Sequence, residues 1–328
     1  MELHQVVGVD IGGTKCSISL GNREGEGIII ADRIRFLTEV SRGVPYTIGR
    51  IVDGMEKMLV KHGMQTKKLN AIGISCGGPL DSSQGIILSP PNLVGWDRIP
   101  IKTILEEKFN VPTCVENDAN ACALAEWKFG AGRGCKNMIF LTFGTGMGAG
   151  LILDGRLYRG TNGMAGEAGH MRLTDVGPVG YGKAGSFEGF CSGGGIAQLA
   201  KMKVLEQLQM GYKPSFCEHV DRMESLDAKI VAEAAQAGDE LAKEIYRMCG
   251  TYLGYGLSIL IDVLNPEMIV IGSIFCRSMD LLWPSARAVI EQEALESARS
   301  VCRIVPAGLG EEIGDYAALA VAVNAAEG

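Results

Sequence analysis

The chain has 328 residues, of which 47% are hydrophobic and 21% charged, a composition that can bury a large core and that disordered chains lack. Its length corresponds to about two domains of ordinary size. The formal net charge is −7 and no run of five like charges occurs, so the basic stripe of a nucleic-acid binder is absent and we expect no such partner.

The cysteines and the first residues bear on the compartment. Ten cysteines are scattered from Cys16 to Cys302 without a Cys-x-x-Cys pair, as expected of reduced thiols in a cytoplasmic protein. The opening residues lack the basic and apolar regions of a signal peptide. No apolar stretch approaches the ~20 residues that span a bilayer. We therefore expect a cytoplasmic protein without a membrane partner.

The first half of the sequence alternates between strand and helix patterns. Residues 6–20 are apolar on both sides of a glycine turn, which predicts a strand, a turn and a second strand. Apolar side chains at helical spacing predict a helix over 46–62. The remaining elements predicted in this half are strands at 27–36, 71–76 and 111–115 and a helix at 119–129.

The pattern of the N-terminus returns in the second half. Residues 139–153 again consist of an apolar stretch, a glycine turn and a second apolar stretch. Aligning Gly12 with Gly144 superimposes the two turns, which indicates a weak internal duplication. A glycine-rich region follows at 160–195. The later elements are predicted as helices at 196–210, 227–237, 239–264, 279–298 and 315–326 and strands at 268–272 and 301–305.

Strands that alternate with helices predict an α/β fold. Because each half begins with a similar β-hairpin, we expect two lobes with a central cleft. The closing helix is expected to pack back on the first lobe. Residues 1–118 together with 315–328 are therefore assigned to a smaller N-terminal lobe, and residues 119–314 to a larger C-terminal lobe.

The first candidate for chemistry is the glycine turn that follows Asp10. Gly12 and Gly13 lack a Cβ, so their amides could approach phosphate oxygens closely. Thr14 adds a hydroxyl group and Lys15 a positive charge. The Asp10 carboxylate, at the strand end, could hold Mg²⁺ through water. The alternative is an ordinary hairpin turn with solvated ends.

The second candidate is the turn Gly144, Thr145 and Gly146, at the equivalent place in the second half. It is not a Walker A loop, because no Gly-Lys-Ser/Thr follows it. Neither turn is the Gly-x-Gly-x-x-Gly of dinucleotide-binding folds. Two such turns on matching hairpins favour a nucleotide triphosphate, which needs hydrogen-bond donors from both walls of a cleft.

The third candidate is Glu116-Asn117-Asp118 at a strand-to-helix junction. One interpretation is a helix N-cap formed by Asn117 or Asp118. The other is a general base, in which the Asp118 carboxylate takes the proton of a sugar hydroxyl that attacks a γ-phosphoryl group. Asn117 would then hold another hydroxyl.

The fourth candidate combines Glu167, His170 and Glu188 in the glycine-rich region. Carboxylates and an imidazole can pair with the hydroxyl groups of a polyol. The alternative for each is a surface charge or a histidine whose hydrogen bonds are satisfied within the protein. The density of glycines around them favours a shaped loop.

Together these segments resemble the ROK family of sugar kinases and sugar-responsive repressors, within the actin-like ATPase superfamily. The resemblance covers essentially the whole chain. Its motifs are Asp10-Ile-Gly-Gly-Thr-Lys, Pro91-Asn-Leu-x-Gly-Trp96, Glu116-Asn-Asp-Ala-Asn120, Gly144-Thr-Gly-x-Gly148, Gly166-Glu-x-Gly-His170, Glu188, Ile271-Gly272-Ser and Gly314-Asp-Tyr-Ala.

The resemblance implies an actin-like (ribonuclease H-like) fold of two α/β lobes, with ATP and Mg²⁺ as cofactors and a homodimer as the assembly. It implies Asp118 as the catalytic base and both glycine turns as the cradle of the ATP phosphates, with Gly272 near the adenosine. The residues that it implies for hexose binding are Asn117, Glu167, His170 and Glu188, and the backbone near Gly78 is expected to add contacts.

The sequence departs from the family at the cysteines that bind structural zinc in most members. Val179, Tyr181 and Ser186 occupy their three positions. A structural zinc site needs about four nitrogen or sulfur ligands, which His170 alone cannot supply. We therefore predict that no zinc is bound and that packing by Tyr181 and Phe187 holds this loop instead.

The expected function is ATP-dependent phosphorylation of a hexose, at O6, with glucose as the first choice. Fructose, mannose, allose and N-acetylhexosamines stay open, because residue types do not distinguish them. The alternative is a sugar-sensing regulator. Repressors of the family carry an added N-terminal helix-turn-helix, and the position of Asp10 leaves no room for one, so a regulator would lack a DNA-binding domain.

Overall fold

The computed structural model describes residues 5–25 and 27–327. Its strands, in chain order, are β1 Gln5–Ile11, β2 Lys15–Glu24, β3 Gly27–Leu37, β4 Ala71–Cys76, β5 Leu80–Asp81, β6 Ile86–Ile87, β7 Thr113–Asn117, β8 Met138–Leu141, β9 Ala149–Leu153, β10 Arg156–Tyr158, β11 Val179–Gly180, β12 Lys183–Ala184, β13 Met268–Ile271 and β14 Arg303–Pro306. Its α-helices are α1 Val44–Lys61, α2 Ile101–Phe109, α3 Asp118–Phe129, α4 Phe187–Phe190, α5 Gly193–Gln209, α6 Ala228–Gln236, α7 Glu240–Leu264, α8 Ile274–Glu293, α9 Glu296–Arg299 and α10 Ile313–Glu327. None of the helices within the described ranges combines the length and apolar character that crossing a bilayer requires.

The chain divides into two compact units. The first contains the residues up to Gly134, Arg156–Gly163 and the residues from Gly308 onward, and the second contains Cys135–Gly155 and Met164–Ala307. The first unit therefore extends past residue 118, the predicted end of the first segment of the N-terminal lobe. It includes α3 because the Phe129 ring lies 6.1 Å from that of Tyr316 on α10, so the two helices pack together.

The first unit is built on a sheet with strand order β3-β2-β1-β4-β7. β1 pairs antiparallel with β2 and parallel with β4, and β4 pairs parallel with β7. All six residues of β4 are buried, as expected of a strand covered on both faces. The carboxyl ends of β1, β4 and β7 consequently lie at one edge of the sheet.

The closing helix α10 packs on this sheet at a pair of glycines. Gly8 and Gly73 are register partners on β1 and β4. A Cβ at Gly8 would lie 2.7 Å from the Leu319 backbone nitrogen, and one at Gly73 would lie 2.2 Å from the Ala318 oxygen. The missing side chains let the helix backbone reach the sheet, which explains why α10 belongs to the first unit.

The second unit repeats this arrangement. Its sheet contains β9, β8, β13 and β14 in that order, with β8 antiparallel to β9 and parallel to β13, and β13 parallel to β14. The hairpin β8–β9 thus takes the place that β1–β2 has in the first unit, as the duplicated pattern predicts. The mixed α/β class predicted from the sequence is confirmed.

Helix α2 is absent from the elements predicted from the sequence, and α8 differs from its predicted bounds. Helix α2 buries Ile101, Leu105 and Phe109, whose spacing of four residues was its signal. Helix α8 begins five residues before the predicted helix 279–298, carries non-helical dihedral angles at Ser278 and ends at Glu293. The short helix α9 follows as a separate element.

Candidate active site

The first glycine turn joins β1 to β2. The Gly12 N–H donates to the Lys15 carbonyl at 3.1 Å, and the Thr38 hydroxyl donates to the Gly12 carbonyl at 2.6 Å, so the hairpin and the neighbouring chain fix the turn. Thr14 and Lys15 are exposed. A Cβ at Gly13 would lie 2.5 Å from the Asn92 carbonyl oxygen, so a side chain there cannot be accommodated without moving one backbone.

Asp10 ends β1 beside this turn. Its register partners are Ser17 on β2 and Ser75 on β4. Burial is the main reason that the pKa of Asp10 is raised to about 7. The negative charges of Asp315 and Asp118 act in the same direction, while a hydrogen bond with Ser75 and the positive charge of Lys15 oppose the increase. The positive charge of Lys15 therefore does not compensate for burial and for the two neighbouring carboxylates, so the protonated form of Asp10 is favoured.

These surroundings fit Mg²⁺ held by Asp10. A divalent cation would supply the positive charge that the neighbouring carboxyl groups lack. Within the described ranges, no three histidine, cysteine, aspartate or glutamate side chains cluster as a metal cage. Mg²⁺ needs no such cage, because it is usually bound by one or two carboxylates together with water and phosphate oxygens.

The junction of β7 and α3 presents Asn117 and Asp118. The Asn117 side chain is the helix N-cap, and its oxygen accepts the Asn120 N–H at 2.7 Å. Asp118 is the first residue of α3, is exposed, and accepts the Ala119 N–H at 2.9 Å. Desolvation by the surrounding protein raises the pKa of the Asp118 carboxyl above its usual range. Of the two candidate caps, Asn117 takes that role, and Asp118 stays accessible.

Glu116, one residue earlier, has no role predicted from the sequence but makes several contacts at this junction. Its side chain is 2% exposed and accepts hydrogen bonds from Ser82, Asn120 and Arg159. The Arg159 Nε lies 2.6 Å from Glu116 Oε2. Its signal in the sequence was a charged residue directly before the candidates Asn117 and Asp118.

The segment after β4 reaches the same edge of the sheet through Gly77 and Gly78. A Cβ at Gly77 would meet no atom within 4 Å, and one at Gly78 would meet only the Leu80 nitrogen at 4.0 Å. Packing within the protein therefore does not require glycine here. An open backbone of this kind can be approached closely by a ligand.

In the second unit, the turn Gly144–Gly146 lies against the N-terminus of α5. The Gly144 N–H donates to the Gly146 carbonyl at 3.1 Å, and the Gly144 carbonyl accepts the Gly193 N–H at 2.7 Å. The Thr145 carbonyl accepts the Gly194 N–H at 3.4 Å. Gly193 and Gly194 are the first two residues of α5, and the glycine-rich pattern of the sequence did not predict their contact with this turn.

Glu188 also contacts this second turn. Its Oε2 accepts the Met147 N–H at 2.9 Å, and a Cβ at Gly146 would lie 2.7 Å from the same oxygen. A Cβ at Gly169 would lie 2.1 Å from the Met147 carbonyl oxygen. The second unit thus brings the turn, Glu188 and the loop of Glu167 and His170 together, with Glu167 and His170 exposed.

Gly272 follows β13 next to the same turn. Its N–H donates to the Leu141 carbonyl at 3.0 Å, and a Cβ at Gly144 would lie 3.8 Å from the Ser273 hydroxyl. A Cβ at Gly272 would be 3.1 Å from the Phe140 ring, a tight contact that a small shift of the ring would relieve. Gly272 and the second turn therefore lie at one edge of the second sheet.

The prediction that Tyr181 packs to hold the zinc-free loop is wrong. Tyr181 is 82% exposed, because it has a φ of 43° in the two-residue turn between β11 and β12, which directs its ring outward. Its ring lies 6.4 Å from that of His170. Phe187 is fully buried, as predicted.

Polar contacts hold the chain around Tyr181. The Lys183 Nζ donates to the His170 carbonyl at 2.7 Å, and an Arg172 guanidinium nitrogen donates to the Ala184 carbonyl at 3.0 Å. The Ser186 hydroxyl caps α4 by accepting the Gly189 N–H. These contacts, and not packing by Tyr181, hold the chain in this part of the second unit.

Comparisons with known proteins agree with this arrangement. The model of the ROK family matches residues 6–324. A glucokinase of Halalkalibacterium halodurans is 35% identical over 314 residues, which is 94% of this chain and 92% of that protein. A xylose repressor of Caldicellulosiruptor bescii is 30% identical over 294 residues, 89% of this chain and 71% of the repressor.

A solved structure has the same fold. The ROK family glucokinase from Streptomyces griseus, in complex with glucose and AMPPNP, superposes with a TM-score of 0.72 at 29% identity, covering 98% of this chain and 99% of that one. The predicted actin-like fold is thereby confirmed. The match to the family model extends over nearly all of the sequence, and the chain belongs to the ROK family.

Proposed function

We propose that this protein transfers the γ-phosphoryl group of ATP to the O6 hydroxyl of a hexose, with glucose as the first candidate. The observation that carries the proposal is the placement of two acidic side chains at one edge of the first sheet. There, an accessible acid with a raised pKa, Asp118, lies near Asp10 and the first glycine turn, because β1, β4 and β7 are parallel.

The enzyme class is sugar kinase. Glucokinases are among the relatives that match the chain over nearly its full length. The Streptomyces griseus structure contains glucose together with AMPPNP, an analogue of ATP. These relatives support a sugar and ATP as substrates, while the identity of the hexose and the O6 position are our proposal.

Each proposed role follows from the type and placement of the side chain. In the first unit, Asn117, Asp118 and the open backbone at Gly78 contact the sugar. In the second unit, Glu167, His170 and Glu188 do so. The residues proposed for ATP are Asp10, Gly12, Gly13, Thr14, Lys15, Gly144, Thr145, Gly146 and Gly272. Asp10 would hold Mg²⁺ through water, and that ion would supply charge to neutralise the phosphate oxygens.

Asp118 acts as the general base in this proposal. It accepts the proton of the sugar hydroxyl while the bond between O6 and the γ-phosphorus forms and the bond from that phosphorus to the β–γ bridging oxygen breaks. The products are ADP and the sugar phosphate. The raised pKa of Asp118 makes its ionised form a stronger base than an ordinary aspartate.

The test of the base is Asp118→Asn. General-base catalysis contributes about 10²–10⁴-fold, so kcat should fall by this order while sugar affinity changes much less. Coupled ADP release measures kcat, and calorimetry measures sugar binding. Asp53→Asn, an exposed aspartate on α1, is the matched control. A kcat that barely changes in Asp118→Asn would remove Asp118 from the base role.

The substrate is tested by a coupled ADP-release screen over hexoses and N-acetylhexosamines. The 6-deoxy form of the best substrate should bind without being phosphorylated. Equal turnover of the deoxy sugar would exclude O6 as the acceptor.

The second candidate function is a sugar-sensing regulator. The similarity to the Caldicellulosiruptor bescii xylose repressor favours it. A sensor binds sugar without consuming ATP and can dispense with a catalytic base. Measurable sugar binding with no ADP release across the screen would favour this alternative over the kinase.

A further inference from the structure

The Glu116 carboxylate serves two groups of partners through its two oxygens. Oε1 accepts the Ser82 hydroxyl at 3.0 Å, the Asn117 N–H at 3.2 Å and the Asn120 amide nitrogen at 3.1 Å. Oε2 accepts Arg159 Nε at 2.6 Å. One oxygen therefore holds the junction of β7 and α3, and the other holds an arginine from a distant part of the sequence.

Because Glu116 is buried, its carboxylate depends on Arg159 for a compensating positive charge. The Glu116 side chain is 2% exposed, whereas that of Arg159 is 43% exposed. An ionised carboxylate at such depth is costly unless it is paired and hydrogen-bonded, and removal of one partner leaves the other charge uncompensated. The three contacts of Oε1 come from neutral donors, so the positive charge among these contacts comes from Arg159.

Arg159 belongs to a short segment of the first unit that lies between two parts of the second unit in the sequence. It lies in Arg156–Gly163, which belongs to the first unit although the residues before and after it belong to the second. The chain continues from this segment into the loop that contains Glu167 and His170. The contact of Arg159 with Glu116 thus attaches the short segment Arg156–Gly163 to the rest of the first unit. In the sequence, this segment is flanked on both sides by residues of the second unit.

We propose that Arg159 is a positioning residue for phosphoryl transfer, which acts through Glu116 on the neighbouring Asn117 and Asp118. Glu116 holds the Asn117 N–H directly, and Asn117 caps the helix whose first residue is Asp118. A shift of the Glu116 carboxylate would therefore move the base relative to its proton. This inference rests on the proposed function, because it assumes that Asp118 is the base.

The experiment compares Arg159→Met with Arg156→Met, which removes an exposed arginine three residues earlier on β10. A displacement of about 1 Å at a reacting group can cost of the order of 10²-fold in rate, so kcat of Arg159→Met should fall by roughly that factor. Its KM for ATP should stay at the wild-type value, since no proposed ATP contact is altered. Arg156→Met should retain the wild-type kcat.

Restoration of the charge separates positioning from a general loss of stability. Arg159→Lys keeps the positive charge but not the planar guanidinium, so its kcat should lie between those of the wild type and Arg159→Met. Added ethylguanidinium should raise the kcat of Arg159→Ala. Glu116→Gln and Arg159→Met should be non-additive when combined, because they break the same contact.

The outcomes distinguish this inference from the proposed function. If the wild-type protein does not turn over any sugar, the proposed function fails. If the wild type is active and Arg159→Met has the kcat of Arg156→Met, the positioning role alone is overturned. If Arg159→Met does not fold, Arg159→Lys decides: a lower kcat at an unchanged melting temperature supports the role, and a wild-type kcat overturns it.

Discussion

Asp10 and Asp118 are two acidic residues whose pKa is raised by their surroundings. Desolvation by the surrounding protein is the largest cause for both, and the charge of Asp118 adds to the increase at Asp10. Asp315, by contrast, is buried but accepts hydrogen bonds from Ser17 and Arg35, which lower its pKa despite the desolvation. The contrast supports the roles proposed for Asp10 and Asp118, because perturbed pKa values cluster at functional sites.

The raised pKa of Asp10 should make the free energy of unfolding depend on pH. In the folded protein Asp10 keeps its proton up to about pH 7, against an ordinary value of 3.8, so its contribution to stability is lost as pH rises through this window. Asp10→Asn stays neutral and avoids the loss. Its melting temperature in Mg²⁺-free buffer should exceed that of the wild type at pH 8 and approach it at pH 4. At about 1.4 kcal/mol per pKa unit, the gain is at most roughly 4 kcal/mol.

Asp32 provides a control, because its pKa is shifted in the direction opposite to that of Asp10. Hydrogen bonds from Lys61 and His62 lower the pKa of Asp32 to about 2, so its contribution is present above the ordinary value of 3.8 and is lost as pH falls. Asp32→Asn should destabilise the protein at pH 7 and by less near pH 2. If both variants showed the same pH dependence, the assignment of the raised pKa to Asp10 would be wrong.

At the scale of elements, glycines decide how closely loops and helices approach one another. Gly8 and Gly73 admit α10 to the sheet, and Gly13 admits the backbone of Asn92 to the first turn. Each of these close approaches is to main-chain atoms, which cannot rotate out of the way as a side chain can.

The first turn should therefore be sensitive to Gly13→Ala. The added Cβ would lie 2.5 Å from the Asn92 carbonyl oxygen, so the turn or the Asn92 segment must move. Overpacking of this kind costs about 1–3 kcal/mol. The melting temperature should fall and the KM for ATP should rise. Gly77→Ala, where the Cβ meets open space, is the control and should keep the wild-type melting temperature.

The end of α3 depends on the fully buried Glu126. Its carboxylate accepts the N–H groups of Ala131, Gly308 and Leu309 at 2.8, 3.1 and 2.9 Å. Hydrogen bonds to a charged group contribute about 1.5–3 kcal/mol each, and Glu126→Ala leaves three backbone N–H groups without their acceptor.

We expect Glu126→Ala to lower the free energy of unfolding by about 3 kcal/mol or more. Urea denaturation followed by circular dichroism measures the change. Glu107→Ala, an exposed glutamate on α2, is the control and should change stability by less than about 0.5 kcal/mol. An equally small effect of Glu126→Ala would show that the three N–H groups find other acceptors.

At the scale of the whole molecule, the two units use the same sheet arrangement with different additions. In the second unit the chain between His170 and Glu188 is held by Lys183 and Arg172 through backbone carbonyl groups. Those contacts require no metal ligand at Val179, Tyr181 or Ser186.

We therefore expect the purified, untagged protein to contain no zinc. Dialysis against a chelator should leave the melting temperature and the kinase activity, assayed after readdition of Mg²⁺, unchanged. Elemental analysis by mass spectrometry is the measurement. One equivalent of tightly bound zinc per chain would contradict the prediction and would mean that other residues supply the ligands.

The sequence alone determined the α/β class, most of the strands and helices, and the chemical types of the candidate site residues. These follow from local patterns: apolar periodicity predicts elements, and glycine turns at strand ends predict close backbone approaches. The resemblance to the ROK family rested on motifs of this local kind, and the family match confirmed it.

Only the tertiary structure decided which distant residues meet. The pairing of Glu116 with Arg159, the raised pKa of Asp10 and the outward ring of Tyr181 have no counterpart in any local pattern. Burial and electrostatics depend on the atoms that packing brings around a group, and most of those atoms come from residues far away in the sequence. Local sequence patterns therefore predict the turns and the acidic residues. The charge states of these residues and the partners that hold them in place depend on the fold.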